Sequence, residues 1–167
     1  MPPSFVHKSA DVHPAAQIGD GTQIWQNVVV TSCAKIGANC TIGANCFVDG
    51  VIGDYCKIAN GVSIFQGVTL ENNVFVSHGV AFANVTIPRT FRPIERQFYK
   101  QTIVEEGVTL EINATIAPGV RLGHHSIIGM GTVVLEDIPP KLLVHGNPAQ
   151  ISIRSIKYKT EKYERKD

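Results

Sequence analysis

Lys35-Ile-Gly-Ala-Asn-Cys-Thr-Ile-Gly-Ala-Asn-Cys-Phe-Val48 spells one six-residue phrase twice and begins it a third time. Its anchors Ile36, Ile42 and Val48 fall six apart, and the spacing continues in both directions. Upstream it runs back through Val30, Ile24, Ile18 and Val12 to Val6. Downstream it restarts as Ile52, Ile58, Ile64, Leu70, Val76 and Phe82, and again as Val104, Leu110, Ile116, Leu122, Ile128 and Val134. Of these 20 anchors, 18 are followed four residues later by Ala, Val, Ser, Thr or Cys. Self-similarity at a fixed period marks a repeat architecture and is weighed before local propensity.

A period of six fits neither an amphipathic helix, which repeats at 3.6 residues, nor a half-buried strand, which repeats at 2. It fits a chain that turns a corner every six residues and lies back on itself after three sides, about 18 residues per coil. Each side is then a short strand, stacked in parallel on the coil below at roughly 4.8 Å. Anchors point inward, and the small residue four places on fills the rest of a narrow prism. Corners need positive φ, which Gly, Asn and Asp tolerate best. Gly37-Ala38-Asn39, Gly43-Ala44-Asn45, Gly53-Asp54, Asn60-Gly61 and Asn72-Asn73 fall where corners are expected.

The 167 residues make one domain with a net charge of +1, which favours neither nucleic acid nor an anionic membrane surface. No apolar run approaches the roughly 20 residues needed to span a bilayer, and no secretory signal precedes Val6, so a cytoplasmic location is the default expectation. Cys40, Cys46 and Cys56 each follow an anchor by four residues and are expected inside the prism, as small buried hydrophobes. No paired C-x-x-C accompanies them, so no metal site is expected.

The beat breaks twice. Val48 to Ile52 is four residues, a corner two residues short. Phe82 to Val104 is 22 residues, so an excursion of about 15 residues leaves the prism near Thr86 and returns near Thr102. The excursion holds Arg89, Arg92, Arg96 and Lys100 against one acid, Glu95, and two prolines stiffen it. Loops on a rigid scaffold carry function. A basic arm of this kind suits phosphate, which arginine forks bind well. From Ile153 the chain leaves the beat. Residues 154–167 read as a tail in which Glu161, four before Arg165, favours a short helix.

The Ile-Gly-x-x-small-x phrase resembles the hexapeptide signature of the left-handed parallel β-helix acyltransferases, over roughly residues 6–150. The resemblance implies an all-β, left-handed fold for residues 1–153 and a homotrimer with active sites between subunits. Further stretches narrow it: Ile24-Trp25-Gln26, Cys40 to Val48, Val74 to Asn84, Pro88-Arg89, Asn113-Ala-Thr-Ile116 and Gly146-Asn-Pro-Ala149. In this order they look like the N-acetyltransferases that act on the 3-amino group of nucleotide-linked amino sugars in bacterial surface-glycan synthesis. Trp25-Gln26 and the Ala-Asn-Cys-Phe run lean to the dTDP-3-amino-3,6-dideoxyhexose branch over the UDP-3-amino-glucuronate branch. The chain departs from the family pattern at Ala83 within Phe82-Ala83-Asn84, at Ser77-His78, at the short corner after Val48, and at Thr109-Leu-Glu-Ile112.

The implied reaction is attack of a sugar amine on the thioester of acetyl-CoA. Electron-withdrawing ring oxygens lower the amine pKa below the lysine value of about 10.4, so a strong base is less necessary than for a hydroxyl acceptor. In the resembling family the Asn of Phe-x-Asn holds the amine, a role that carries over to Asn84. His78 is the rival, as a general base active near neutral pH. Gln66 and Arg89 are candidate sugar-nucleotide contacts. By the resemblance, coenzyme A lies along the C-terminal coils near Ala117, Gly131, Thr132 and Lys141, with Pro148 toward its adenine end. His124 and His125 are adjacent and face different ways, so at most one enters a cleft.

Three other readings share the prism. Another hexapeptide O- or N-acetyltransferase, acting on serine, a maltose-type sugar or an antibiotic, would use a His base. A γ-class carbonic anhydrase needs two His five residues apart, and no H-x-x-x-x-H occurs here. A non-catalytic scaffold would bind no coenzyme A.

Overall fold

The computed structural model describes residues 3–152, so the helix expected within 154–167 lies outside the described residues. The six-residue beat becomes a parallel β-helix of three-sided coils. Its first face stacks Phe5–Val6, Gln23–Ile24, Thr41–Ile42, Lys57–Ile58, Phe75–Val76, Thr109–Leu110, Ile127–Ile128 and Leu143–His145. The second face carries Asp11–Val12, Val29–Val30, Phe47–Val48 and Ser63–Ile64 in one ladder, then Ala81–Phe82, Thr115–Ile116 and Val133–Val134 in another. The third stacks Gln17–Ile18, Lys35–Ile36, Val51–Ile52, Val68–Leu70, Thr102–Val104 and Arg121–Leu122. A last strand, Gln150–Ile151, reverses and pairs antiparallel with Leu143–His145.

Inter-coil registers match anchor to anchor, as in Ile24↔Ile42, Val30↔Val48 and Ile36↔Ile52. Two-residue strands bury the anchor and expose its neighbour, which is period-two alternation confined to one side of a prism. Ile24, Ile42, Ile58, Ile64, Leu110, Ile116 and Leu122 are fully buried. Cys40, Cys46 and Cys56 lie inside as expected, and each thiol donates to a carbonyl of the next coil, Gly53, Ala59 and Glu71, at 3.0–3.1 Å. Among the described residues no coil stacks beneath the first, and Val6 keeps 43% of its surface.

The corners divide their labour differently from the sequence expectation. Positive φ falls on the third corner residue: Asn39, Asn45, Asn73, and Tyr55 rather than Gly53 or Asp54. Glycine at the first corner place serves close stacking instead. A Cβ on Gly37 would lie 2.6 Å from the carbonyl carbon of Gly53 in the next coil.

The short corner after Val48 recurs. Val134 is followed after four residues by Ile138, which bridges Leu122 on the third face. These two corners account for the two anchors that lack a small residue four places on, because there the fourth residue is already the next anchor. The excursion leaves from Phe82 and returns at Thr102, close to the expected bounds, and contains a 3-10 turn at Arg96–Phe98. Both short corners and the excursion join the second face to the third, so these three irregularities of the beat lie on one edge of the prism. Among the described residues no helix is long and apolar enough to cross a membrane.

Candidate functional site

The irregular edge builds the site. The second face has no backbone ladder between Ser63–Ile64 and Ala81–Phe82. Beside that gap a side chain makes the link between coils: Asn84 Nδ2 donates to the Gln66 carbonyl at 3.0 Å. The Asn84 carbonyl in turn accepts from Lys100 N at 2.9 Å, where the excursion comes home. Asn84 is therefore clamped front and back, and its Oδ1 has no hydrogen-bond partner among the described residues. Gln66, one coil below, has a buried Oε1 that is also without a partner.

The excursion folds over this corner. Lys100 O sits 2.5 Å from where a Cβ on Gly67 would be, so the two backbones touch. Thr102 N donates to Gly67 O at 2.8 Å. The arm encloses a cleft of about 750 Å³ with Asn84 at its base, apolar walls that include Ile87, Phe91 and Phe98, and the cations Arg89, Arg92 and Lys100. Phe91 is 82% exposed. Arg96 reaches two coils down the edge, to Asp49 of the short corner, with Nη1–Oδ2 at 3.9 Å.

The remaining candidates scatter over the prism. Gln66, Asn84 and Arg89 share the irregular edge. His78 lies in the same coil as Asn84 but at the other end of the second face. It is exposed, and its carbonyl accepts from Asn113 N at 3.0 Å. Ala117 is on the irregular edge above the excursion, whereas Gly131 and Thr132 follow the first face. Thr132 points inward and is fully buried. Lys141 belongs to the third corner, where its N–H bonds to the His124 carbonyl at 2.9 Å. Pro148 lines a separate cleft of about 510 Å³ near the C-terminal end, with Leu135, Glu136 and Asp137. On the third corner Glu105 accepts from Arg121 Nη1 at 2.7 Å and from His124 N at 2.8 Å. Those contacts, the Arg121 guanidinium first, hold its carboxyl below the usual range.

Sequence reasoning placed Arg96 in the basic arm but missed Asp49 and the meeting of the two across 47 positions. The only signal was indirect: the short corner and the basic arm both broke the beat. Among the described residues no three His, Cys, Asp or Glu side chains gather as a metal site.

The chain belongs to the bacterial transferase hexapeptide family (six repeats), which it matches over residues 15–50, 34–66 and 101–136, more than half its length. It is 32% identical over 103 residues to a galactoside O-acetyltransferase of Lactococcus lactis subsp. lactis (strain IL1403), covering 54% of this chain and 50% of that protein. It is 31% identical over 115 residues to a serine acetyltransferase of Buchnera aphidicola subsp. Acyrthosiphon pisum (strain APS), covering 68% and 38%. The chain thus spans about half or less of these relatives. Its fold is that of AntD, an N-acyltransferase from Bacillus cereus solved with dTDP and 3-hydroxybutyryl-CoA. The TM-score is 0.55 at 17% identity, over 89% of this chain and 78% of that one. The acetyltransferase domain of PglB from Neisseria gonorrhoeae FA1090 matches with a TM-score of 0.54 at 20% identity, over 90% and 58%.

Proposed function

We propose that the chain is an acetyl-CoA-dependent N-acetyltransferase that modifies the 3-amino group of a nucleotide-linked amino sugar. A dTDP-3-amino-3,6-dideoxyhexose is the favoured acceptor, in bacterial surface-glycan synthesis. One observation carries this reading: Asn84 is fixed through its Nδ2 at the base of a cation-rimmed cleft, with its Oδ1 unpartnered. An amide oxygen held there accepts an N–H from a neutral amine and aims the lone pair outward. Its contribution is mainly one of proximity and orientation. The amine nitrogen bonds to the thioester carbonyl carbon, the C–S bond breaks, and the departing sulfur takes the proton the nitrogen releases.

Arg89 and Arg92 supply forked donors for the nucleotide's phosphates, with Gln66 beside the acceptor. Ala117, Gly131 and Lys141 lie on three different corners, so they serve one coenzyme A only if neighbouring copies bring their corners together. A homotrimer with sites between subunits supplies that arrangement. Thr132, buried beneath, supports the surface from inside, and Pro148 marks the far end toward the adenine. A cytoplasmic location goes with these substrates.

A second reading keeps the fold and makes His78 a general base for a hydroxyl acceptor. It is favoured by the exposed place of His78 in the same coil as Asn84. Thiol release from acetyl-CoA separates the two when dTDP- and UDP-linked 3-amino and 4-amino sugars are compared. Turnover confined to a dTDP-linked 3-amino sugar is the expected result. No turnover with any amino sugar would remove the first reading.

A further inference from the structure

We propose that Asp49 is a recognition residue for the acceptor, taking a hydrogen bond from a hydroxyl that lies about 10 Å along the prism from the amine held at Asn84. The inference rests on the functional reading above and extends it to a residue two coils away. The short corner after Val48 brings Asp49 onto the same edge as Gln66 and Asn84, one residue per coil. At roughly 4.8 Å per coil, Asp49 and Asn84 stand about 10 Å apart.

The three side chains share one property. Each has an oxygen that the described residues leave short of donors. Asn84 Oδ1 has no partner among the described residues, and Gln66 Oε1 is buried without one. Asp49 is only 8% exposed. One carboxylate oxygen accepts from Thr31 Oγ1. Among the described residues the other faces only Arg96 Nη1, at 3.9 Å, beyond hydrogen-bond reach. A carboxylate offers about four acceptor positions, and leaving buried ones unfilled costs free energy. Arg96 is a loose counter-ion, with 64% of its side chain in solvent, and swings aside at little cost. A row of acceptors short of donors is complementary to a ligand rich in O–H and N–H groups. A sugar nucleotide lying along the edge is such a ligand, its amine at Asn84 and a hydroxyl of its remote part at Asp49.

Asp49 has a competing role as a structural tether, through Thr31 below and Arg96 above, and the test separates the two. Steady-state thiol release and calorimetric binding of the dTDP- and UDP-linked 3-amino sugars, the latter without acetyl-CoA, are measured for wild type, Asp49→Ala, Arg96→Ala and Thr31→Ala. Loss of a hydrogen bond to a charged group predicts that Asp49→Ala weakens acceptor KM and Kd by about tenfold or more. The expectation includes kcat and the KM for acetyl-CoA within about twofold of wild type. Arg96→Ala and Thr31→Ala, which keep the carboxylate, should not reproduce that loss. Equal losses in Asp49→Ala and Arg96→Ala, or an unchanged acceptor KM and Kd in a folded Asp49→Ala protein, overturn the proposal and leave a tether. Wild type that binds the acceptor but does not acetylate it refutes the catalytic reading alone. Wild type that binds no sugar nucleotide refutes both.

Discussion

Gly67 and Gly61 offer a matched pair for testing how the excursion is held. Both have positive φ, +94° and +75°, and both sit on corners of the same coil. A Cβ on Gly61 meets open space, so Gly61→Ala carries only the backbone strain of a left-handed alanine, about 1 kcal/mol. A Cβ on Gly67 would lie 2.5 Å from Lys100 O. Carbon–oxygen contacts settle near 3.3 Å, so one backbone must give way by roughly 0.8 Å. Forced repacking of this kind adds a further ~1–3 kcal/mol. The segment that moves is bonded to Asn84 through Lys100 N and to Gly67 through Thr102 N. Displacements near 1 Å at a reacting centre cost up to about a hundredfold in rate. Urea unfolding and thiol release, run on both variants, read the two quantities. Gly61→Ala should lose about 1 kcal/mol and keep its turnover. Gly67→Ala should lose clearly more stability and about ten- to a hundredfold in turnover. Equal stability losses with full turnover in both would refute the idea that this contact sets the excursion.

Three further outcomes follow. Native protein should expose one of its four thiols, Cys33, to an aromatic disulfide reagent and release the other three only on unfolding; early reaction at Cys40, Cys46 or Cys56 would contradict their inward packing. Leu110→Ala removes a fully buried side chain and should cost about 2–5 kcal/mol in denaturant unfolding, against well under 1 kcal/mol for the exposed Lys35→Ala. Glu105→Gln should lower thermal stability near neutral pH, and the gap from wild type should narrow on acidification. The depressed folded-state value means the Glu105 contribution is present above the ordinary carboxylate range and lost as pH falls through the folded value, so a gap that widens in acid contradicts the assignment.

The scaffold was legible because burial in a narrow prism admits few residue types. Ile36, Ile42 and Val48 repeat at six since each must point at the same axis. The edge that carries the candidate site was legible only as a disturbance. Val48 to Ile52 and Phe82 to Val104 broke the beat, but spacing does not say which corner a break occupies, nor that both fall on one edge. Asn84 was singled out as a candidate through resemblance, and its clamp by Gln66 O and Lys100 N depends on contacts 18 and 16 residues away. Gly37 shows a subtler limit: its composition suggested positive φ, whereas close stacking on Gly53 is what excludes a side chain. Asp49 was invisible because a lone acid in a short corner has no pattern until Arg96 and Thr31 meet it. The dispersal of Ala117, Gly131 and Lys141 over three corners shows that six-residue phase alone does not assign residues to one ligand.

The central claim is that Asn84, and not a histidine base, prepares the amine. Thiol release from acetyl-CoA with a dTDP-linked 3-amino sugar, run side by side on wild type, Asn84→Ala and His78→Ala, tests it most directly. Turnover that collapses in Asn84→Ala and survives in His78→Ala is the predicted result. Turnover lost only in His78→Ala would contradict the account and move this chain to the His-base acetyltransferases.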